Sequence, residues 1–324
     1  MYDKNKAEWA KVFPKVVTSF LQDIPFAKAN HEFLAPLMPL AFESFDFSDY
    51  DLVISVTSEA AKGVKIGKNT VHICYCLTPT RYLWSGYSDY FSGLAFKVIT
   101  KPVINLLRKW DLQASTRPDL MVAISTAVQK RIRKYYKRDS QILFPPVELS
   151  LDRATKYTKD CYLLVGRLVG YKKVDLVVKT FNDLDYPLVI VGTGREEKRL
   201  KAMAKKNIRF AGMVTEKKLS GYYQSAKALI MPQEEDFGIV SVEAQSFGVP
   251  VIAYKKGGAL DTVIDGKTGI FFDKQDIKSL KEAILRFEML RFKADNLVTN
   301  AKKFSEKKFR QKFAKIVKHA TKRH

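Results

Sequence analysis

The second half of the chain alternates short apolar runs with helix-forming segments. The first run, CYLLVGRL, starts at Cys161, and the last, PVIAYKKGG, ends at Gly258. Short continuous apolar runs are typical of strands buried on both faces, and regular alternation with helices makes successive strands parallel. We therefore predict a doubly wound parallel sheet, in which ligands bind beyond the carboxyl ends of the strands.

The first half shows a shorter version of the same pattern. Tyr50–Thr57 and Thr70–Cys76 are apolar runs typical of parallel strands, and residues 86–117 have a helical pattern. A third strand, LMVAIS, a helix over Ala127–Tyr136 and the strand-like run QILFPPVEL follow. Because Pro145-Pro146 interrupts regular structure, we place the domain boundary just after it. The prediction is an α/β chain with a first domain over 1–148 and a second over 149–302.

Composition excludes several classes of protein. The 324 residues are 46% hydrophobic, which argues against disorder. No apolar run reaches the roughly 18 residues of a membrane span, and the N-terminus lacks the apolar core of a signal peptide, so we expect a cytoplasmic chain. Cys74, Cys76 and Cys161 are too few for a disulfide framework or a zinc site, and we expect buried thiols. No metal and no cofactor is expected.

The charge balance gives a formal net charge of +22. Such a field attracts phosphates, anionic lipid or nucleic acid without choosing among them, and many of the lysines are expected simply to be solvated. Nothing in the chain matches a nucleic-acid recognition module, so no specific nucleic-acid partner is expected. Residues 5–45 resemble broken helices that either lie on an anionic membrane surface or pack on their own domain. Packing is favoured, because the stretch is interrupted too often for one amphipathic helix.

The stretch MPQEEDFGIVSVEAQSFGVP carries the strongest functional signal. Glu235 and Glu243 are eight positions apart, and an apolar run leads into the proline before them. This pattern indicates a strand, a loop and a helix that begins near Gly238. The backbone N–H groups of Phe237, Gly238 and Ile239 would then be the unpaired donors of a helix start, where anionic ligand groups are favoured.

Six segments carry a resemblance to a known family. They are CYCLTPTRYLW (74–84), VGRLVGYKKVDLVV (165–178), VIVGTGREEKRL (189–200), FAGMVTEKKLSGYY (210–223), PQEEDFGIVSVEAQSFGVPVIAY (232–254) and GGALDTVIDGKTGIFF (257–272). With these segments the chain resembles the retaining glycosyltransferases of family 4, in particular a mannosyltransferase-like subgroup that builds bacterial surface polysaccharides. The resemblance implies the GT-B fold, two Rossmann-like domains facing a cleft, with a C-terminal helix (303–324) that packs back on the first domain.

The resemblance also implies roles for three candidate catalytic residues and for one donor-binding residue, Glu243. Arg167 and Lys172 would grip the diphosphate of the donor, which needs cationic partners. Glu235 would bind hydroxyls of the transferred sugar. Glu243 would accept hydrogen bonds from the ribose, as a carboxylate with two acceptor oxygens can.

Further positions follow from the same resemblance. Phe237, Gly238 and Ile239 would bind the donor through their backbone N–H groups, and glycines would let the backbone approach the nucleotide. Thr78 and Arg81 would lie on the acceptor side. The remaining implied donor-binding positions are Gly166, Gly192, Gly194, Met213 and Val214.

The implied reaction transfers a hexose, with mannose from GDP-mannose as one candidate, from a nucleoside diphosphate sugar to a saccharide or lipid-linked acceptor. The anomeric configuration is kept, and the inner membrane face is the implied place of action. Positioning and stabilisation of the diphosphate would supply catalysis without a metal. Asp183 and Asp185 are expected to be surface residues at a helix end rather than a metal-binding motif.

Two departures from the family support an alternative function. Relatives usually begin with a strand, a glycine-rich loop and a helix, and nothing before Tyr50 has that pattern, so the first domain looks short. Leu77 stands where relatives commonly carry a histidine, and leucine can neither donate nor accept a hydrogen bond. His72, on the preceding strand, is expected to be packed rather than catalytic. The alternative is a nucleotide-sugar-binding protein without turnover and with a degenerate acceptor site.

Overall fold

The computed structural model describes residues 7–25, 31–87, 94–149 and 159–322. These residues form two compact units. The first unit takes the residues up to Ile124, then Val128–Ile142 and the residues from Ala314 onward, and the second takes Ser125–Ala127 and Leu143–Phe313. Each unit is built on its own sheet.

The first unit contains a parallel sheet of four strands in the order β1-β2-β3-β4. Every residue of β2 is buried, as the apolar run predicts. The carboxyl end of β2 leads into Leu77–Trp84, the segment predicted to face the acceptor. The elements of this unit are α1 (Met38–Glu43), β1 (Leu52–Thr57), β2 (Val71–Cys76), α2 (Leu94–Ser115), β3 (Leu120–Ala123), α3 (Thr126–Tyr136) and β4 (Gln141–Ile142).

Residues 5–45 pack only in part, as far as the structure describes them: Leu21 and Ala41 are buried, at 1% and 2% exposed. Residues 5, 6 and 26–30 lie outside the described ranges. Short 3-10 helices cover Glu8–Val12, Phe20–Asp23 and His31–Leu37. Val12 and Phe13 are 78% and 56% exposed, so this part of the stretch leaves apolar surface in solvent. The expectation of packing on the domain is therefore wrong for these side chains.

The second unit contains a parallel sheet of six strands in the order β10-β9-β8-β5-β6-β7. Strand order reverses between β5 and β8, which creates a crevice at their carboxyl ends where ligands of doubly wound sheets bind. The strands are β5 (Cys161–Val165), β6 (Leu188–Val191), β7 (Ile208–Gly212), β8 (Ala226–Met231), β9 (Val251–Tyr254) and β10 (Gly269–Phe272).

Helices cover both faces of this sheet, and a separate buried apolar cluster fills each side. One predicted strand needed shortening. The run QILFPPVEL forms only the two-residue β4, because proline cannot donate to a ladder, and Val147 makes an isolated bridge with Ser305. The helix predicted over 86–117 is observed from Leu94, with residues 88–93 outside the described ranges. The helices are α4 (Val174–Leu184), α5 (Glu197–Met203), α6 (Glu216–Ser225), α7 (Ile239–Ser246), α8 (Ala259–Thr262), α9 (Ile277–Glu288), α10 (Ala294–Ala301) and α11 (Glu306–Thr321).

Candidate functional site

The loops that follow β5 and β6 approach each other at glycines, and we call this place the glycine-lined crevice. Gly192 has a φ of +133°, and a Cβ built there would lie 2.0 Å from the carbonyl oxygen of Gly166. A Cβ at Gly194 would lie 2.4 Å from the carbonyl oxygen of Leu168. The loops after the two strands are also joined by a hydrogen bond from Leu168 N to Thr193 O of 2.9 Å. Only glycine fits this close approach of one loop to the other. The approach of this backbone to a nucleotide, which the family resemblance implies for these glycines, stays a prediction.

Lys172 and Glu235 meet at the point where strand order reverses. Lys172 ends a short 3-10 turn after β5, and Glu235 follows β8. Lys172 Nζ and Glu235 Oε1 form an ion pair, and both side chains are mostly buried, with 17% and 19% exposed. Gln233 Nε2 donates to the same carboxylate oxygen at 2.6 Å. The sequence assigns Lys172 and Glu235 to different parts of one ligand, and the structure brings the two side chains together.

Tyr171 joins the two predicted cations, and sequence reasoning missed it. Arg167 is exposed, and its Nη2 donates to the Tyr171 hydroxyl at 2.6 Å. Lys172 Nζ lies 5.4 Å from the centre of the Tyr171 ring, within the range of a cation–π contact. One aromatic side chain therefore holds both cations on the same loop. An aromatic residue between Arg167 and Lys172 in GRLVGYKK was the available signal.

Glu243 is held on α7 by a second tyrosine that was missed. The Tyr223 hydroxyl donates to Glu243 Oε2 at 2.7 Å, and Tyr223 is buried and stacked on Phe247 with ring centres 5.3 Å apart. Burial raises the pKa of Glu243, and the Tyr223 hydrogen bond opposes that shift. The carboxylate is thus oriented through one oxygen and kept partly away from water.

The start of α7 has the expected geometry. Gly238 is the N-cap residue with a φ of +90°, and Phe237 before it is buried with its ring stacked on Phe144 at 5.8 Å. Phe304 packs edge-on against both rings. Ile239 begins the helix and is 44% exposed. A helix start leaves its first N–H groups without intrahelical partners, so these groups can bind an acceptor-rich ligand.

A buried polar network fixes α7 from behind. Ser241 Oγ donates to Thr262 Oγ1 at 2.7 Å, and Gln245 Nε2 donates to the carbonyl oxygen of Thr262 at 2.9 Å. Asn300 Nδ2, on α10, donates to Gln245 Oε1 and to Thr262 O, each at 2.8 Å. Asn300 lies far from the family motifs in sequence, and no local pattern points to it.

Two more predicted donor-binding residues follow the edge strand β7. Met213 is 82% exposed, and Val214 is half-buried. The loop reaches the glycine-lined crevice, because Gly192 N donates to Gly212 O at 2.8 Å. An exposed methionine beside a backbone crevice can supply an apolar contact to a flat ring.

The predicted acceptor-side residues belong to the first unit. Thr78 is buried, with Arg131 Nη1 3.4 Å from its Oγ1, and Arg81 is half-buried. His72 is fully buried with Nε2 2.8 Å from Ser55 Oγ. Burial lowers the pKa of His72 to about 4. This histidine is therefore neutral at pH 7 and faces inward, as the sequence predicts.

Neither a metal cluster nor a membrane span is found in the part of the chain that the structure describes. No group of three or more His, Cys, Asp or Glu side chains there is arranged to hold a metal ion. None of its helices combines the length and the apolar character needed to cross a membrane. Asp183 and Asp185, at the end of α4, are exposed as expected, and the three cysteines are buried free thiols.

Residues 151–304 match the family described as Glycosyl transferases group 1. An uncharacterized glycosyltransferase of Methanocaldococcus jannaschii is 27% identical over 202 residues, which cover 60% of this chain and 56% of that protein. A GDP-mannose-dependent alpha-(1-6)-phosphatidylinositol monomannoside mannosyltransferase of Mycolicibacterium smegmatis is 32% identical over 138 residues, or 37% of this chain and 36% of the relative. The chain thus spans little more than half, or less, of the length of these relatives.

Solved structures with the same fold extend the comparison to both sheets. Sucrose-phosphate synthase from Thermosynechococcus elongatus matches with a TM-score of 0.71 and 18% identity, covering 90% of this chain and 80% of that one. The Anabaena protein HepE in complex with UDP matches with a TM-score of 0.65 and 16% identity, covering 89% and 82%. These likenesses confirm the predicted GT-B fold with its Rossmann-like parallel sheets.

Proposed function

Because the chain belongs to the Glycosyl transferases group 1 family, we propose that it transfers a hexose from a nucleoside diphosphate sugar to an acceptor hydroxyl with retention of configuration. The observation that carries the proposal is the meeting of Lys172 and Glu235 at the strand-order reversal, with Arg167 on the same loop. A cation pair and a carboxylate at this point of a doubly wound sheet suit an anionic, hydroxyl-rich ligand.

In the proposed complex, Arg167 and Lys172 bind the diphosphate, and the N–H groups at the start of α7 face it as well. Charge that develops on the leaving diphosphate would be stabilised by these fixed groups. In the structure, Lys172 forms an ion pair with Glu235. The diphosphate would draw Lys172 away and leave the Glu235 carboxylate to accept hydrogen bonds from the transferred sugar. Both residues therefore act on the reacting end of the donor.

The other end of the donor is the nucleoside. We assign its ribose to Glu243, whose Oε2 is bonded to Tyr223 and whose Oε1 would accept from the ribose hydroxyls. Its base would lie against Met213 and Val214, next to the backbone crevice at Gly192. An ionised Glu243 is required for the strongest ribose contact, since hydrogen bonds to charged acceptors are the stronger ones.

Mannose from GDP-mannose is the donor we favour, because the Mycolicibacterium relative is named as GDP-mannose-dependent. The fold neighbour HepE holds UDP, so both bases need testing. Calorimetric titration with GDP-mannose, UDP-glucose, GDP and UDP is the direct experiment. One nucleotide should bind, and Glu243→Ala and Arg167→Ala should each weaken it about tenfold or more, as expected for a lost bond to a charged group.

The matched control is Arg199→Ala, which removes an exposed arginine paired with Glu196 on α5. This variant should bind the nucleotide like the wild type. If a folded wild-type sample binds none of the four compounds, the donor-site assignment is refuted. Equal weakening by Arg199→Ala would mean that net charge, rather than the site, sets the affinity.

The proposed acceptor is a saccharide or a lipid-linked saccharide, and Thr78 and Arg81 are the residues assigned to it. The Mycolicibacterium relative is named for a phosphatidylinositol-linked acceptor, which favours a lipid-linked one. Radiolabel from the donor should pass from the nucleotide into a lipid extract. Nucleotide binding without transfer or donor hydrolysis would instead favour the alternative, a nucleotide-sugar-binding protein with a degenerate acceptor site around Leu77.

An anionic membrane surface is the partner that suits α2. Among residues 100–115 of this helix, whose burial the structure describes, three large apolar side chains are solvent-exposed: Val103 at 43%, Leu106 at 69% and Leu112 at 39%. Lys101 and Lys109 are exposed beside them. The single acidic residue of the helix, Asp111, is turned inward and is only 1% exposed. Exposed apolar side chains with flanking lysines bind anionic lipid surfaces, and a lipid-linked acceptor at the inner membrane face would place the protein there.

Vesicle flotation tests this partner without any substrate. The wild type should float with vesicles that contain phosphatidylglycerol and remain at the bottom with phosphatidylcholine alone. Val103→Asp with Leu106→Asp should abolish flotation, whereas Leu260→Asp with Leu285→Asp, which changes exposed leucines of the second unit, should not. A wild type that stays at the bottom in both cases would refute the membrane partner.

A further inference from the structure

A buried ion pair in the first unit joins Lys62 to Asp111, the inward-facing carboxylate of α2. Lys62 Nζ lies 2.5 Å from Asp111 Oδ1, and each side chain is only 1% exposed. Lys62 also donates to the carbonyl oxygen of Glu59 at 2.5 Å, and its ammonium group lies 5.4 Å from the centre of the Tyr136 ring. Both partners of this ion pair are therefore almost completely removed from solvent.

Asp111 is the centre of a cluster of donors. Thr80 Oγ1 donates to Asp111 Oδ1 at 2.8 Å, and Trp84 Nε1 donates to Oδ2 at 2.7 Å. The Tyr136 hydroxyl, from α3, donates to Oδ2 at 2.8 Å. The Lys62 ammonium group also donates to Thr80 Oγ1 at 3.2 Å. One carboxylate thus gathers three neutral donors and one cation.

Two of these donors lie on the segment that follows β2, Leu77–Trp84. Thr80 is held twice, because its backbone N also donates to the Tyr136 hydroxyl at 3.3 Å. Trp84 is held by its indole N–H and by stacking on Tyr135, with ring centres 5.3 Å apart. The anchors at Thr80 and Trp84 stand on either side of Arg81, and Thr78 is two positions before the first.

Stability alone does not require charges at this position. Burying two ions is costly, and well-packed apolar residues of similar size are often as stable as a buried ion pair. An apolar pair would fill the space, but it could not accept the hydrogen bonds from Thr80, Trp84 and Tyr136. The carboxylate contributes hydrogen bonds that fix the conformation of the segment Leu77–Trp84.

We propose that Asp111 is a positioning residue, which, held in place by Lys62, fixes the segment Leu77–Trp84 so that Thr78 and Arg81 face the acceptor. The inference rests on the proposed transferase function for its consequence, because the segment bears both acceptor-side residues. It assigns to the buried pair the role of orienting the two acceptor-side residues, Thr78 and Arg81.

The experiment replaces the pair by apolar residues, Lys62→Met with Asp111→Leu. The control is Glu43→Leu with Arg117→Met, which removes another ion pair of the same unit, 2.7 Å between Arg117 Nη2 and Glu43 Oε1, that does not touch the segment. Three quantities are measured for each protein: amide hydrogen exchange of residues 77–86 by mass spectrometry, nucleotide affinity by calorimetry, and donor turnover.

For the Lys62→Met/Asp111→Leu variant we expect amide exchange in the segment to be about tenfold faster or more, as the loss of a hydrogen bond to a charged group implies. Turnover should fall by a similar factor, with nucleotide affinity within about twofold of wild type, because the nucleotide is assigned to the second unit. The control should keep both the exchange rate and the turnover of the wild type. Thr80→Val, which removes only the hydroxyl bonded to Asp111, serves as the test if the double variant does not fold.

Unchanged exchange of residues 77–86 in the double variant would overturn the proposal, and so would wild-type turnover despite faster exchange. An equal loss of turnover in the control would mean that Asp111 contributes only to the general stability of the unit, and would contradict the proposal. If the wild type binds nucleotide but turns over no donor, the transferase proposal falls, and the exchange measurement alone decides whether Asp111 fixes the segment.

Discussion

Tyr223 lies beneath the carboxylate of Glu243 and offers a sharp test of the ribose assignment. Its hydroxyl donates to Glu243 Oε2 at 2.7 Å, and the side chain is 2% exposed. Its ring is stacked on Phe247. Tyr223→Phe therefore removes one oxygen atom and preserves the packing of the ring. Any change in ligand binding must then come from the loss of a single hydrogen bond.

The size of the effect follows from the charge on the acceptor. A hydrogen bond to an ionised group is worth about 1.5–3 kcal/mol, so a carboxylate that loses its orienting donor should bind nucleotide about tenfold more weakly or worse. The loss should also depend on pH. Burial raises the pKa of Glu243, and the Tyr223 hydroxyl counteracts this. Without the hydroxyl the pKa rises further, so a larger fraction of Glu243 is protonated in mildly acidic solution and affinity falls at a higher pH than in the wild type.

The assay is calorimetric titration of the nucleotide that binds, repeated from mildly acidic to mildly basic pH. The control is Tyr222→Phe, which alters the neighbouring tyrosine, whose ring lies 5.4 Å from the Arg209 guanidinium. Tyr222→Phe should leave both affinity and its pH dependence unchanged. If Tyr223→Phe binds nucleotide with wild-type affinity at every pH, Glu243 does not bind the ribose through an oriented carboxylate, and the assignment is refuted.

Three further changes test the scaffold of the site and the stability of each unit. Gly192→Ala should destabilise the protein by about 2 kcal/mol or more, because the new Cβ would lie 2.0 Å from Gly166 O. The control Gly221→Ala, on an open helix surface, should stabilise the protein by up to about 1 kcal/mol. Equal free energies of unfolding for the two variants in chemical denaturation would contradict this reasoning. Burial acts to raise the pKa of Glu43, but three side-chain hydrogen bonds outweigh it and lower that pKa from 4.5 to about 2. A stabilising contribution, which solvent screening holds to about 1 kcal/mol, should therefore be present above pH 4.5 and be lost as pH falls towards 2. A Glu43→Gln variant should lack this part of the acid dependence in denaturation curves. Asn300→Leu should lower the free energy of unfolding by about 1–3 kcal/mol, because the buried Gln245 Oε1 loses its Asn300 donor and Thr262 O keeps only its bond from Gln245. An unchanged midpoint of denaturation would show that the network behind α7 is dispensable.

Much of the fold could be predicted from the sequence because its signals are local. Buried parallel strands are short apolar runs, and such runs predicted most strands of both sheets within a few residues of their observed bounds. Two strands are exceptions. QILFPPVEL is apolar enough for a longer strand, but its prolines cannot donate to a ladder, and only Gln141–Ile142 pairs. The strand β10 (Gly269–Phe272) lies beyond PVIAYKKGG, where the predicted series ended. Periodicity could also not determine whether apolar residues in broken segments pack, as exposed Val12 and Phe13 show.

The positions of the charged site residues could be predicted, but not the contacts that hold them. Lys172 and Glu235 each follow a strand, and strand order then brings them together, which requires knowing that β5 and β8 are neighbours. Tyr171 and Tyr223 are ordinary aromatic residues in sequence, and their roles appear only when a hydroxyl is seen beside a cation or a carboxylate. Asn300 acts on α7 across a long separation along the chain, so no local pattern could reveal it.

The net charge of +22 explains less of the site than its size suggests. The two cations assigned to the diphosphate are individually restrained, Lys172 by Glu235 and Arg167 by Tyr171. Many other lysines lie exposed on outer helices such as α11, where they contribute to a long-range field that salt screens within about 10 Å. That field can draw an anionic sugar nucleotide or lipid surface towards the protein. Selection of a particular donor must come instead from groups whose positions are fixed relative to one another: Lys172 and Glu235 at the ends of β5 and β8, and Glu243, which Tyr223 holds on α7.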